Sequence, residues 1–215
     1  MSNFAGPNTT KSVLALNLDA ANKKSYPGNG TIWTDLKGKF PFFPSGATNP
    51  VFNSANGGNF QFNGSGYYVN NNAILGNNSA GCTASVWFKS SDNTKDTQYI
   101  FNLNNGWGML SRSGVLNATR NSTNSFTSLS YSITQDQWYN ATIITNTVNF
   151  ISFYVNGQSI LNSGSIGGTI QSASTIQLGR NLVGNIGHFT FYKGRVLTAQ
   201  EVYNNYIADR GRFDV

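Results

Sequence analysis

The sequence predicts an all-β protein: two antiparallel sheets packed as a sandwich, with one short helix at the C-terminal end. Three observations carry that prediction. About a dozen short segments alternate apolar and polar residues, the period of a half-buried strand. Between them lie Gly, Asn, Ser and Thr, with 23 glycines and only 10% charged residues in the chain, the composition of tight turns. The one strong helix-start signal, Thr198 with Glu201 three residues on, comes after the last of these strands.

The chain of 215 residues is 39% hydrophobic and 13% aromatic, enough to fill the space between two sheets. No linker divides it, so residues 13–215 are expected to form a single domain. Residues 1–12 are polar and aperiodic and read as a flexible arm, with Phe4 and Pro7 as its partner-binding residues.

In chain order, residues 13–19 place Leu14, Leu16 and Leu18 on one strand face. Residues 20–45 read as a long excursion: Pro27-Gly28 and Asn29-Gly30 signal turns, Trp33 is its anchor, and Pro41 and Pro44 limit ladder pairing. Strands follow at 59–63, 66–70, 82–89, 98–103, 106–112, 115–120 and 126–131. The second half adds 138–145, 149–156, 158–161, 175–178 and 186–192, with Asn156-Gly157 as the sharpest hairpin signal. Ile144 with the alternating Ile151, Phe153 and Val155 predicts one buried face and one wet face for the pair 138–145 and 149–156. The helix, 199–209, carries Val202, Tyr203, Tyr206 and Ile207 as an apolar stripe, with Gly211 just past its end.

The net charge of +6 arises from scarce acids, 14 Lys and Arg against 8 Asp and Glu. Lys23-Lys24 and Arg210-Gly211-Arg212 are the densest basic spots and make no polybasic arm, so nucleic acid is not an expected partner. A weakly basic surface suits an acidic protein or an anionic glycan. Cys82, the single cysteine, is expected to be a buried small hydrophobe. The first residues lack a basic n-region and an apolar h-region, and no segment has the length of a membrane span, so neither secretion nor a membrane is expected.

Catalysis is not expected either. A glycosidase needs paired carboxylates, whereas Glu201 is the only glutamate and is accounted for as the helix cap. Asp92, Asp96 and Asp136 fall in hairpin turns. His188, the only histidine, reads as a packed or polar-face ring, and no Ser-His-Asp set can be placed around it. For sugar binding, Tyr67, Tyr68 and Trp107 supply rings that can stack on a pyranose, and Asn104 and Asn105 supply paired donors and acceptors. The alternative for Trp107, flanked by two glycines, is that it fills a gap in the core.

Three segments in order resemble concanavalin A-like (laminin-G-like) jelly-roll domains. Thr83-Ala-Ser-Val-Trp87 is similar to the family's T-x-x-x-W strand, and Trp138-Tyr-Asn-Ala-Thr-Ile-Ile-Thr145 with Phe153-Tyr-Val-Asn-Gly157 to its W and Y-V-N-G hairpin. The strand from Gly184 to Tyr192, followed by Leu197-Thr198 and Glu201, is similar to its closing strand and helix. The resemblance implies a jelly-roll connection of the two sheets.

A narrower resemblance lies in the opening segment from Leu16-Asn-Leu-Asp-Ala-Ala-Asn22 through Tyr26-Pro-Gly28 to Trp33-Thr-Asp-Leu-Lys-Gly38, and in the closing Asn205-Tyr206 with Arg212-Phe213. Both are similar to concanavalin A-like domains of tailed-bacteriophage structural proteins. That resemblance implies a virion protein made in the host cytoplasm, a capsid decoration or cement protein whose partners are major capsid or other virion proteins, with homo-oligomers compatible. The alternative is a carbohydrate-binding head of a fibre or adhesin; a degenerate glycosidase comes third. In many members an Asp in the last strand helps to hold a structural calcium. Here those positions are Gly187 and His188, so no cofactor is expected, and Asp19, Asp35 and backbone carbonyls would have to make up any calcium site.

Overall fold

The computed structural model describes residues 14–72, 81–103, 107–120, 125–145, 150–165 and 175–215; the arm expected at 1–12 lies outside them. In chain order the strands are β1 Leu14–Asp19, β2 Trp33–Thr34, β3 Pro41–Gly46, β4 Val51–Asn53, β5 Asn59–Asn63, β6 Gly66–Asn70, β7 Cys82–Ser90 and β8 Gln98–Leu103. They continue with β9 Trp107–Arg112, β10 Val115–Arg120, β11 Ser125–Ser132, β12 Trp138–Thr145, β13 Phe150–Val155, β14 Gln158–Ser165, β15 Ile176–Leu178 and β16 Val183–Lys193, before helix α1, Ala199–Asp209.

The strands form two antiparallel sheets. The first runs β14-β13-β12-β7-β16-β5-β4, with β1 also paired to β16, and the second runs β11-β10-β9-β8-β15-β6-β3-β2. Alternation sends every second side chain of each sheet into the shared core. Leu16, Leu18, Phe60, Val86, Phe88, Ile143, Phe153, Phe189 and Phe191 come from the first sheet, and Phe42, Tyr68, Phe101, Met109, Leu116 and Leu178 from the second. Each fully buried large apolar side chain contributes about 1.5–3 kcal/mol, so this layer dominates the stability. At the Asn156-Gly157 turn both residues are left-handed, φ 49° and 73°, the backbone of a type I′ hairpin.

The excursion at 20–45 is more regular than the prolines suggest. It contains β2 and β3, and Pro41 and Pro44 are tolerated because β3 lies next to the sheet edge, beside a strand of two residues. Trp33 is fully buried against Phe60 and Tyr68, and Tyr26 sits edge-on to Phe60 at 4.8 Å. The short β4 escapes sequence reading, since three residues set no period.

β12 has no wet face, and the place of Ile144 is corrected: it lies opposite Ser152, so it is Ile143 that shares the core face with Ile151, Phe153 and Val155. Trp138, Asn140, Thr142 and Ile144 point away from the sandwich core yet are buried, because α1 and the residues after it cover them. Val202 packs with Ile144, Tyr154 and Tyr192; Tyr206 and Phe213 pack with Trp87 and Trp138. The helix starts where the sequence places it, with both halves of the capping box formed: Glu201 N donates to Thr198 Oγ1 at 3.2 Å and Thr198 N to Glu201 Oε2 at 2.9 Å. Two expectations are corrected. Tyr203 is exposed, because the buried stripe centres on Val202 and Tyr206. Gly211 lies inside a 3-10 turn at Arg210–Arg212 that continues the helix, and is not a left-handed cap.

Candidate functional site

The outer face of the first sheet is thus largely sealed by α1, whereas among the described residues no helix lies over the outer face of the second sheet. Cross-strand register aligns one row of side chains on that face. Phe43 on β3 faces Val69 on β6, then follow Gln177 on β15, Asn102 on β8, Gly108 on β9 and Thr119 on β10. A second row pairs Ser45 with Tyr67, and a third joins Tyr99, Leu110 and Asn117. Their chain neighbours Phe42, Tyr68, Leu178, Phe101, Met109 and Ala118 all lie in the core, so alternation turns these rows outward.

Burial changes across the face. Phe43, near the β2 edge, is 47% exposed, and Tyr67, Val69, Gln177 and Tyr99 are half-buried. Asn102, Leu110, Asn117 and Thr119 are buried even though they point away from the core. Gln177 Oε1 and Thr119 Oγ1 find no hydrogen-bond partner among the described residues. A buried polar atom left unpaired costs about 1–3 kcal/mol. Beside these rows the Arg180 guanidinium lies 5.9 Å from the centre of the Tyr99 ring. Rings, amides, hydroxyls and a guanidinium form a surface suited to a polar ligand with apolar faces.

Of the described sugar-binding residues read from sequence, Tyr67 is on this face. Tyr68 and Trp107 point the other way. The Tyr68 ring packs between Trp33 and Phe60, with its hydroxyl pKa raised by burial. Trp107 sits edge-on to Phe101 and near Phe191, the gap-filling role that its flanking glycines allow. Neither can stack on a ligand as placed. Asn104, Asn105, Phe4 and Pro7 lie outside the described residues. Phe43, Tyr99, Asn102, Gln177 and Arg180 were missed. The alternation of 98–103 points Tyr99 outward, but only the pairing of β15 between β6 and β8 brings these residues together.

A second polar cluster lies beneath α1, around a cavity of about 30 Å³ lined by Asn17, Ser85, Trp87, Asn140, His188 and Asp209 among others. That is room for about one water. His188 Nδ1 lies 2.7 Å from Asp209 Oδ2 and its Nε2 2.8 Å from Asn17 Oδ1. Burial pulls the imidazole pKa down, and the bond to Asp209 with the charges of Asp209 and Asp19 more than offsets this, leaving it raised. Ser85 shares the cavity, but its hydroxyl is engaged by Thr142 Oγ1 at 2.8 Å and Asn140 Nδ2 at 3.2 Å. Both ring nitrogens of His188 are engaged by Asp209 and Asn17, and neither is bonded to Ser85. Cys82 is buried beside Thr145, its thiol pKa pushed up to about 11 chiefly by burial.

Calcium can be tested against the oxygens near Gly187. Asp19 Oδ1 and the carbonyls of Asn56, Gly58 and Gly187 converge on one point, occupied by the guanidinium of Arg212, at 2.6, 2.6, 2.5 and 3.4 Å respectively. A cation cannot share that cage with an arginine, so the residues do not fit the metal. The family's carboxylate has no space either, because a β-carbon on Gly187 would lie 2.7 Å from the Phe213 ring. Among the described residues no three His, Cys, Asp or Glu side chains form a group able to hold a metal.

The family described as the concanavalin A-like lectin/glucanases superfamily matches residues 62–203, more than half the chain. No curated protein matches. Among solved structures, domain 4 of AbnA, an extracellular GH43 arabinanase from Geobacillus stearothermophilus, in complex with arabinotriose, has a TM-score of 0.69 at 17% identity, over 90% of this chain and 98% of that one. The binding domain of botulinum neurotoxin DC in complex with SialylT scores 0.70 at 15% identity, over 92% of this chain and 51% of that one. Trypanosoma rangeli sialidase scores 0.71 at 15% identity, over 95% of this chain and 34% of that one. The chain thus spans about half the length of the neurotoxin domain and a third of the sialidase. At these identities the likeness is one of fold.

Proposed function

The chain belongs to the concanavalin A-like lectin/glucanase superfamily, and from that premise we propose that it is a non-catalytic carbohydrate-binding domain whose ligand lies across the outer face of the second sheet. One observation carries this reading: the rings of Phe43, Tyr67 and Tyr99 stand on the outward-facing side of the second sheet, beside the half-buried Gln177 and the exposed Arg180. A pyranose offers apolar C–H faces to the rings and hydroxyls to the polar side chains beside them. The arabinotriose complex of a domain of this fold supports the assignment to sugars. A non-catalytic role is supported by the residues of the rows, among which no carboxylate stands, where glycoside hydrolysis requires two.

The virion role rests on the resemblance of the opening and closing segments alone, and a glycan-binding domain is compatible with that setting. The test is calorimetric titration of the protein with arabino-oligosaccharides, β-glucan fragments and acidic oligosaccharides, repeated with Tyr67→Ala and Tyr99→Ala. Saturable binding weakened about five- to tenfold by loss of a ring supports the reading. Binding to none of these, or binding indifferent to both substitutions, overturns it.

A further inference from the structure

We infer that the sugar recognised on this face bears a carboxylate, and that Arg180 is its counter-ion. The inference rests on the carbohydrate-binding reading and adds the class of sugar. Arg180 is exposed, on a turn that leaves β15 between β6 and β8, the strands of Tyr67 and Tyr99. That turn is fixed: Gly179 N donates to Ile100 O at 3.1 Å, Tyr99 N to Arg180 O at 2.9 Å and Leu182 N to Gly179 O at 3.1 Å.

The charges nearby do not cancel. Arg112, Arg195 and Arg212 are each bonded to a carboxylate, from Asp96, Glu201 and Asp19. Around the turn, Arg112 has Asp96, and Lys95 lies near enough to Asp92 to help lower its pKa. Arg180 has no carboxylate partner among the described residues; its guanidinium lies 5.9 Å from the centre of the Tyr99 ring instead. A cation–π contact at that distance is loose and leaves the N–H edge available for two parallel bonds to a carboxylate. A neutral sugar has no group to balance that charge; a uronic or sialic acid does.

The experiment titrates the full chain with two matched pairs, oligogalacturonate against its methyl ester and sialyllactose against lactose, beside the neutral oligosaccharides above. Wild type, Arg180→Ala and Arg180→Lys are compared. At least one acidic ligand should bind about tenfold more tightly than its neutral counterpart. Arg180→Ala should abolish the difference by weakening acidic binding about tenfold, and Arg180→Lys should restore only part of it. Neutral sugars bound as tightly as both acids, or a preference that survives Arg180→Ala, would overturn the inference and leave carbohydrate binding standing. No binding to any sugar would overturn both. The melting temperature should be the same for all three proteins, which separates lost affinity from lost fold.

Discussion

His188 and Asp209 are bonded at 2.7 Å, Nδ1 to Oδ2, joining the middle of β16 to the last residue of α1. With Asn17 Oδ1 at the other ring nitrogen, both nitrogens face acceptors, an arrangement satisfied by the imidazolium. The raised pKa of His188 means that its contribution to stability is complete below the ordinary value of 6.5 and is lost as pH rises through the folded value. Asp209 has its pKa lowered: burial opposes this, but the bond to His188 and the charges of His188 and Arg212 prevail. Its contribution is complete above the ordinary 3.8 and is lost as pH falls through the folded value.

The melting-temperature difference between wild type and His188→Gln should therefore be largest and flat from about pH 4 to 6.5, and should shrink on the alkaline side. A charge-assisted bond of this kind contributes about 1.5–3 kcal/mol. A difference that grew with rising pH would show that His188 is held neutral.

Arg212 fills the oxygen cage by Gly187, so Arg212→Ala should cost about 3 kcal/mol, because Asp19 loses its partner and three carbonyls lose a donor. Wild-type melting should be indifferent to millimolar calcium and to chelator. A rise in melting temperature with calcium would show that a metal can enter the cage or bind elsewhere.

Thr198→Ala should cost about 0.5–2 kcal/mol by urea denaturation, since the hydroxyl that accepts from Glu201 N is removed. An unchanged midpoint would show that packing of Val202 and Tyr206 alone sets the helix start.

Trp107→Ala and Gln177→Leu should separate stability from binding in opposite directions. The tryptophan fills the core, and truncating it should cost about 3–5 kcal/mol. Leucine at 177 removes an unsatisfied buried oxygen, so stability should hold or rise while sugar affinity falls. Lower stability for Gln177→Leu would mean that the amide is satisfied within the fold.

Local chemistry accounts for the parts of the fold that were legible. The strand at 98–103 and the helix at 199–209 have the bounds expected from period and capping, because each signal is complete within a few residues. The sealed outer face of β12 was illegible: Asn140 and Thr142 are buried and bonded to Ser85, and the helix packed on that face begins some sixty residues later, beyond any local period. The same limit explains Tyr67 and Tyr68: both are rings in one strand, and which one faces the core depends on a partner sheet that local sequence does not contain. Arg180 carried no local signal; its role depends on a turn held between two distant strands.

The place of β1 bears on how the protein is made. Among the described residues its one partner strand is β16, so Asp19 meets His188 across 169 residues of chain. During synthesis at about 5–20 residues per second, Leu16 and Leu18 wait on the order of ten seconds or longer for the strand that will cover their edge. β7 waits for the same strand on one side. Pairings of such sequence separation are slow to form, and until the final strand leaves the ribosome the nascent chain presents an unmatched apolar edge. Chaperone capacity and expression temperature, more than the stability of the finished sandwich, will govern how much soluble protein a cell accumulates.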